Sequence, residues 1–189
     1  DALEIREMAK VLNFEMANTK EMIDFANSLK PDFCCIVPEK REEKTTEGGL
    51  NLKSYSEEKI LSLKKTITNF KSNNIETSLF IDPNKESVDI AKIVGADLIE
   101  LHTGRYANNF NTINEFEALD EIISMSEYAN SKGLRVNAGH GLNYENLTEI
   151  CKLPYINEIN IGHAIISQAV FTGLSDAIRK IISIINNSD

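Results

Sequence analysis

Two segments late in the chain share the pattern Asn-x-Gly-His. Residues 136–141 read VNAGHG and residues 159–164 read INIGHA, and each ends an apolar run and enters a helical pattern. Glycine lets a backbone approach a phosphate closely, and the free N–H groups at a helix start then point at the anion. Gly139, Gly141 and Gly162 could instead form tight turns only. Two such segments in tandem favour phosphate binding.

Histidine follows an apolar run at three places, and these are the only histidines of the sequence: His102, His140 and His163. Imidazole is the side chain best suited to proton transfer near neutral pH. We favour His140 as the acid or base, because the glycines on both sides leave its ring room to move. We expect His163 to contribute mainly its backbone N–H. A structural hydrogen-bonding role is the alternative for each ring.

Two carboxylates, Glu15 and Glu100, interrupt otherwise apolar runs. Burying a carboxylate without a partner is costly, so each is expected to be paired or functional. Desolvation would raise the pKa of either group toward the range useful for proton transfer. A salt bridge to a neighbouring strand is the alternative.

A long polar segment, residues 38–50, ends in Gly48-Gly49. Long loops of this kind in compact domains are often lids, and Thr45 and Thr46 could bind an anion. A solvated surface loop explains the composition equally well. The three cysteines, Cys34, Cys35 and Cys151, are predicted to be packing residues.

Six strand-then-helix units are needed to position these residues. Strands are predicted over residues 11–17, 33–37, 77–81, 97–101, 134–138 and 158–161, and helices over 19–29, 56–70, 88–94, 115–131, 144–151 and 165–185. The pattern lacks the two-residue turn of a hairpin between successive runs, so the sheet is predicted to be parallel.

Residues suited to catalysis or binding follow nearly every predicted strand. Their distribution decides between the two folds that accept this pattern, a doubly wound sheet and a barrel. A doubly wound sheet concentrates its site at one switch point, whereas a barrel gathers residues from many strand ends onto one rim. We therefore predict an α/β fold, a (β/α)8 TIM barrel. The chain starts at Asp1 inside a helix-like stretch. We expect residues 1–189 to be one barrel domain carrying strands 3 to 8, with the first two βα units outside the given chain.

Composition excludes several classes of protein. With 20 basic and 29 acidic side chains the net charge is −9, which disfavours nucleic acid as a partner. Apolar runs fall far short of the roughly 20 residues that a membrane span needs. The three cysteines are odd in number and lack the spacing of a disulfide framework or a zinc site, which is typical of a reducing compartment. We therefore predict a cytoplasmic protein. Neither a Walker A loop, a G-x-G-x-x-G motif nor a metal-ligand spacing occurs.

The motifs taken together resemble the pyridoxine 5′-phosphate synthase (PdxJ) family of vitamin B6 biosynthesis. The matching segments run through the chain in order: 13–17 (NFEMA), 33–41 (FCCIVPEKR), 45–50 (TTEGGL), 99–104 (IELHTG), 136–142 (VNAGHGL) and 160–166 (NIGHAII). The resemblance implies a (β/α)8 barrel with extra helices, assembled as a homo-octamer. It implies condensation of 3-amino-2-oxopropyl phosphate with 1-deoxy-D-xylulose 5-phosphate to pyridoxine 5′-phosphate, phosphate and water, without a metal or redox cofactor.

Residue roles follow from the same resemblance, by position. Glu15 corresponds to a proton acceptor, His140 to the proton donor and Glu100 to a transition-state stabiliser. The phosphate of the amino ketone would be held by Gly141, Gly162 and His163. Thr45 would contact deoxyxylulose phosphate.

The sequence departs from the family pattern at its N-terminal end. An early Asn-x-Asp-His segment and a His-Leu-Arg-Glu-Asp segment, which supply a further base and cationic contacts in the family, do not occur in these residues. If the molecule lacks them, we expect an open, inactive barrel that only binds a phosphorylated ligand. That non-catalytic binder is the alternative function. Another phosphate-binding barrel enzyme is disfavoured, because it would not predict Glu15, Glu100 and His140 together.

Overall fold

The computed structural model describes residues 1–38 and 48–188. The strands are β1 (Asn13–Ala17), β2 (Phe33–Val37), β3 (Glu76–Ile81), β4 (Leu98–His102), β5 (Arg135–Gly139) and β6 (Ile156–Asn160). The α-helices are α1 (Ala2–Met8), α2 (Lys20–Leu29), α3 (Glu57–Ser72), α4 (Lys85–Val94), α5 (Gly104–Asn109), α6 (Glu115–Ser131), α7 (Leu147–Cys151), α8 (His163–Thr172) and α9 (Leu174–Asn186). A 3-10 turn covers Leu52–Ser54. In the described ranges, none of the helices combines the length and the apolar character needed to cross a bilayer.

The six strands form one parallel sheet in the order β1-β2-β3-β4-β5-β6. A side-chain hydrogen bond joins the two outermost strands: Asn13 Nδ2 on β1 donates to Glu158 Oε1 on β6 at 3.3 Å. Strands at opposite ends of the order can meet in this way only if the sheet curls around a common interior. The fold is therefore a partial (β/α) barrel, and the predicted architecture is confirmed.

The predicted strands agree with the observed ones to within two residues at each end. The prediction of one helix over residues 165–185 was wrong. Gly173, with φ +81° and ψ 152°, separates α8 from α9 in a backbone conformation that side chains with a Cβ rarely adopt. A further short helix, α5, also forms inside the loop predicted after β4.

The hydrophobic core lies between the outer face of the sheet and the helices around it. Strand residues that face outward are fully or almost fully buried against α3, α4 and α6; they include Leu79, Ile81, Ile99, Leu101, Val136 and Ala138, packed with Leu63, Ile67, Val88, Ala91 and Ile122. A smaller cluster under α2 contains Met16, Ala26, Cys34, Phe70 and Ile75. Because side chains alternate along a strand, the inner face is free to carry polar groups.

Candidate active site

Glu100, in the middle of β4, is a buried carboxylate that is 4% exposed. Its Oε2 accepts a hydrogen bond from Asn160 Nδ2 at 2.7 Å and a weak one from the Cys35 thiol at 3.7 Å. Burial raises the pKa of Glu100 to about 7, and the neighbouring Glu15 charge pushes it in the same direction against the effect of the Asn160 hydrogen bond. A carboxyl group in this state both gives and takes a proton at neutral pH.

Gly139 makes the bond between Glu100 and Asn160 possible. The donor lies on β6 and the acceptor on β4, so the bond passes over β5, where Gly139 pairs with both Asn160 and His102. A Cβ at position 139 would collide with Glu100 Oε1 and lie 3.2 Å from Asn160 Cβ. The absence of a side chain here therefore leaves the space that the two polar groups fill.

The asparagines of the repeated Asn-x-Gly-His motif hold the interior carboxylates. Asn160 donates to Glu100, and Asn137 Nδ2 donates to Glu158 Oε1 at 3.2 Å. The sequence interpretation used the glycines and histidines of this motif and missed its asparagines. The available signal was the repetition of Asn itself at the same place in both segments.

Glu15 lies on the inner face of β1, beside Cys35 of β2. Its negative charge contributes to raising the pKa of Glu100 and of the Cys35 thiol, which places it in the same interior. The Glu15 side chain is exposed, because β1 forms the margin of the described sheet.

The prediction that all three cysteines only fill space was wrong for one of them. Cys34 packs in the smaller apolar cluster, as expected. Cys35 points to the other face of β2, where burial raises the pKa of its thiol and keeps it an S–H donor to Glu100.

His140 follows β5 directly and has a φ of +76°, which is strained for a residue with a side chain. Thr103 fixes this turn: its Oγ1 donates to the His140 carbonyl at 2.6 Å and to the Gly139 carbonyl at 2.9 Å. The imidazole lies 4.8 Å from the ring of His102 and 6.3 Å from that of Phe80, centroid to centroid. The histidine is thus presented at the carboxyl end of the sheet by a defined backbone turn.

The residues predicted to bind phosphate lie after neighbouring strands, at the same end of the sheet. Gly141 follows His140, and its carbonyl accepts from Asn146 Nδ2 at 3.2 Å. Gly162 is the N-cap of α8 and exposed His163 is the first residue of that helix, which has no side-chain cap hydrogen bond. Backbone N–H groups at the start of α8 therefore face solvent and can donate to an anion.

Thr45 and most of the predicted lid lie outside the described residues. Within the part of the chain that the structure does describe, His, Cys, Asp and Glu side chains form no group of three or more suited to a metal ion.

Comparison with known proteins identifies the family. A family model described as pyridoxal phosphate biosynthesis protein PdxJ matches residues 1–187. The chain belongs to this family.

Similar proteins named pyridoxine 5′-phosphate synthase support the assignment to the PdxJ family. The one from Prochlorococcus marinus (strain AS9601) is 47% identical over 186 residues, covering 98% of this chain and 76% of the relative. The one from Akkermansia muciniphila is 48% identical over 182 residues, covering 95% and 72%. The one from Coxiella burnetii (strain Dugway 5J108-111) is 45% identical over 180 residues, covering 95% and 73%.

A solved structure of a mandelate oxidase mutant with (S)-mandelic acid superposes with a TM-score of 0.62 at 11% identity. The match covers 100% of this chain and 59% of that one. At this identity the likeness concerns the fold alone, and it agrees with the partial barrel.

The close packing of Glu100 and Asn160 around Gly139 gives a first prediction for this member of the PdxJ family. Gly139→Ala forces Glu100 and Asn160 apart, so we expect the free energy of unfolding to fall by about 1–3 kcal/mol, as for other overpacked sites. Gly162→Ala is the matched control, because a Cβ there has no atom within 4 Å, and it should cost less. Urea denaturation measures both, and an equal cost in the two variants would contradict the role given to Gly139.

The raised pKa of Glu100 gives a second prediction. The folded state binds this proton more tightly than the unfolded chain, where the carboxyl has its ordinary pKa of 4.5. The resulting stability is fully present below about pH 4.5 and is lost as the pH rises through about 7. Glu100→Gln removes this dependence, so its stability relative to the wild type should improve by about 3 kcal/mol between pH 4 and pH 8.

Urea denaturation at the two pH values measures this difference. Glu127→Gln, at an exposed position of α6, is the control and should show no such change. A Glu100→Gln effect that is the same at both pH values would mean that Glu100 has an ordinary pKa in the folded protein.

Proposed function

We propose that this protein condenses 3-amino-2-oxopropyl phosphate with 1-deoxy-D-xylulose 5-phosphate to give pyridoxine 5′-phosphate, phosphate and water. The observation that carries the proposal is Glu100, a buried carboxyl with a pKa of about 7, held inside a partial barrel of the PdxJ family. Glu15 in the same interior and His140 at the rim supply the other groups that proton transfer needs.

The proposed reaction consists of proton transfers in series. The amine of one substrate attacks the ketone of the other, and the resulting carbinolamine loses water once its hydroxyl is protonated. Removal of a proton from carbon then gives an enamine, and attack of its carbon on the second carbonyl closes the ring. Further proton transfers expel the phosphate of the deoxyxylulose part as inorganic phosphate, and the net loss of a second water makes the ring aromatic. A positioned acid or base accelerates each such step by roughly 10²–10⁴-fold.

The three proton-carrying groups suit different steps. Glu15, exposed at the margin of the interior, is the proposed acceptor. His140, held at the carboxyl end of the sheet by the Thr103 contacts, is the proposed donor to the departing hydroxyl. In the strand order, Glu100 on β4 lies between β1, which carries Glu15, and β5, which precedes His140. We assign Glu100 to the stabilisation of charge that develops in the transition states.

Backbone groups are the proposed phosphate ligands. The chain has a net charge of −9, so its described surface supplies little general attraction for an anion. Gly141, Gly162 and His163 would donate N–H groups to the amino-ketone phosphate, and Thr45 would contact deoxyxylulose phosphate. Assembly as an octamer and a cytoplasmic location remain predictions, and light scattering tests the first of them.

The proposal is tested by incubating the full-length protein with both substrates and quantifying pyridoxine 5′-phosphate by chromatography and mass, and released phosphate by a colorimetric assay. We expect the two products in equal amounts, and neither from one substrate alone. Binding of phosphorylated ligands without product would instead support the non-catalytic binder and overturn the proposal.

A third prediction concerns His140. Replacing it with Asn removes the proton donor but keeps a polar residue that tolerates positive φ. We expect product formation to fall by at least about a hundredfold, while the Kd of a non-reactive phosphorylated substrate analogue, measured by calorimetry, changes little. Unchanged turnover would remove His140 from the mechanism.

A further inference from the structure

Asp82 and His102 form a pair that the proposed mechanism does not use. Asp82 directly follows β3, and His102 is the last residue of β4. His102 Nδ1 donates to Asp82 Oδ1 at 3.1 Å, and the backbone N–H of Gly49 donates to the same oxygen at 3.0 Å. The hydrogen bond from His102 is the main cause that lowers the pKa of Asp82, so the carboxylate stays ionised.

The ring of His102 is buried, with 7% of the residue exposed. It packs edge-on against Phe80 at 5.3 Å and lies against His140 at 4.8 Å, with ring planes 48° apart. Its other nitrogen, Nε2, is buried and has no hydrogen-bond partner among the residues that the structure describes. A Cβ at Gly104 would lie 2.6 Å from this nitrogen and 3.4 Å from Cδ2 of His140, so Gly104 covers both rings.

These contacts select one form of the His102 ring. A carboxylate only accepts hydrogen bonds, so Nδ1 must carry a proton. A proton on Nε2 would be buried against Gly104 with no acceptor among the described residues, which is unfavourable. A ring with its proton on Nδ1 therefore fits both sides of the site.

We propose that Asp82 and His102 are positioning residues for His140. Asp82 holds the His102 ring in one orientation and one tautomer, and that ring, with Phe80 and Gly104, forms the wall that limits the rotation of the His140 ring. The backbone N–H of Gly49 donates to the same Asp82 oxygen as His102 does, so the wall also contacts the segment that begins at Gly48. The effect on catalysis rests on the proposed function, in which His140 is the proton donor. The tautomer assigned to His102 does not depend on that function.

A purely space-filling wall would not need this chemistry. An apolar ring at position 102 would pack against Phe80 and Gly104 without requiring a hydrogen-bond partner. The histidine instead needs Asp82, and Asp82 fixes rotation about the ring axis, which packing alone does not. The orientation of a general acid is what such a constraint controls, because proton transfer requires hydrogen-bond geometry with the substrate.

The test is Asp82→Asn in the full-length protein. The amide that replaces the carboxylate can either accept from Nδ1 or donate to it, so the Nδ1 tautomer is no longer enforced, and we expect a larger share of His102 to carry its proton on Nε2. Long-range ¹H–¹⁵N spectra of the ligand-free protein labelled on histidine distinguish the two tautomers, with signals assigned from single His→Gln variants. We expect kcat to fall by about 10- to 100-fold, the range typical for partners that orient a functional histidine, with KM within about twofold.

Asp97→Asn is the matched control. Asp97 also accepts a backbone N–H, from Thr77 at 3.0 Å, but it precedes β4 at the opposite end of the sheet. It should keep wild-type kcat and the wild-type His102 tautomer. A fall in kcat equal to that of Asp82→Asn would show a general loss of stability and overturn the proposal.

Two other results would also overturn it. One is a wild-type His102 that carries its proton on Nε2. The other is Asp82→Asn with wild-type kcat and unchanged His140 ring signals. If Asp82→Asn does not fold, His102→Asn replaces it, because this variant keeps a donor to Asp82 and removes the ring. Its kcat should fall in the same way. A wild-type kcat for His102→Asn would show that the His102 ring does not position His140. Because the spectra need no turnover, a wild-type protein without synthase activity but with the Nδ1 tautomer would refute the proposed function alone.

Discussion

The hydrogen bond from Asn160 to Glu100 is the interaction on which the arrangement of this site depends. It joins side chains of β4 and β6 across the intervening β5, and it satisfies a carboxyl that would otherwise be buried with a single weak thiol donor. The bond requires correct register in two strand pairs and a glycine between them. A one-residue slip in either pair would turn one partner to the outer face, so the register of the sheet and the chemistry of the site are fixed together.

The alternation of side chains along each strand lets one short sequence serve both the core and the site. In β4, Ile99 and Leu101 are fully buried in the outer apolar layer, while Glu100 and His102 face the interior. The core is therefore built without using inner-face positions. The polar interior has a cost, because Asn137 Oδ1 is buried without a hydrogen-bond partner among the described residues, and such groups are rarely tolerated without a functional reason.

The sequence predicted local features well and contacts between distant segments poorly. Apolar runs located all six strands, and a charge within such a run singled out Glu100, because both signals are contained in a few consecutive residues. The donor to Glu100 lies 60 residues away on a strand that is not adjacent, so no local pattern could reveal it. The exposure of Glu15 at the margin of the described sheet could not be predicted for a related reason, because it depends on the packing around β1 and not on the residues near Glu15 in the sequence. Cys35 was misjudged because a cysteine in an apolar run looks the same on either face of the sheet.

The repeated Asn-x-Gly-His motif gains its meaning from an offset between neighbouring strands. Asn and Gly are two residues apart and so share the inner face, while the histidine falls where the strand ends. The register pairs Gly139 of the first copy with Asn160 of the second, so the two copies are displaced by two residues along the sheet. The β5–β6 pairing also contains a register shift between Val136 and Asn137. The displacement of the two copies places the asparagine of one copy in the space left by the glycine of the other, and it carries Gly162 and His163 beyond the sheet to the start of α8. The register between β5 and β6 thus separates the part of the motif that holds the carboxylates from the part that we propose to bind phosphate.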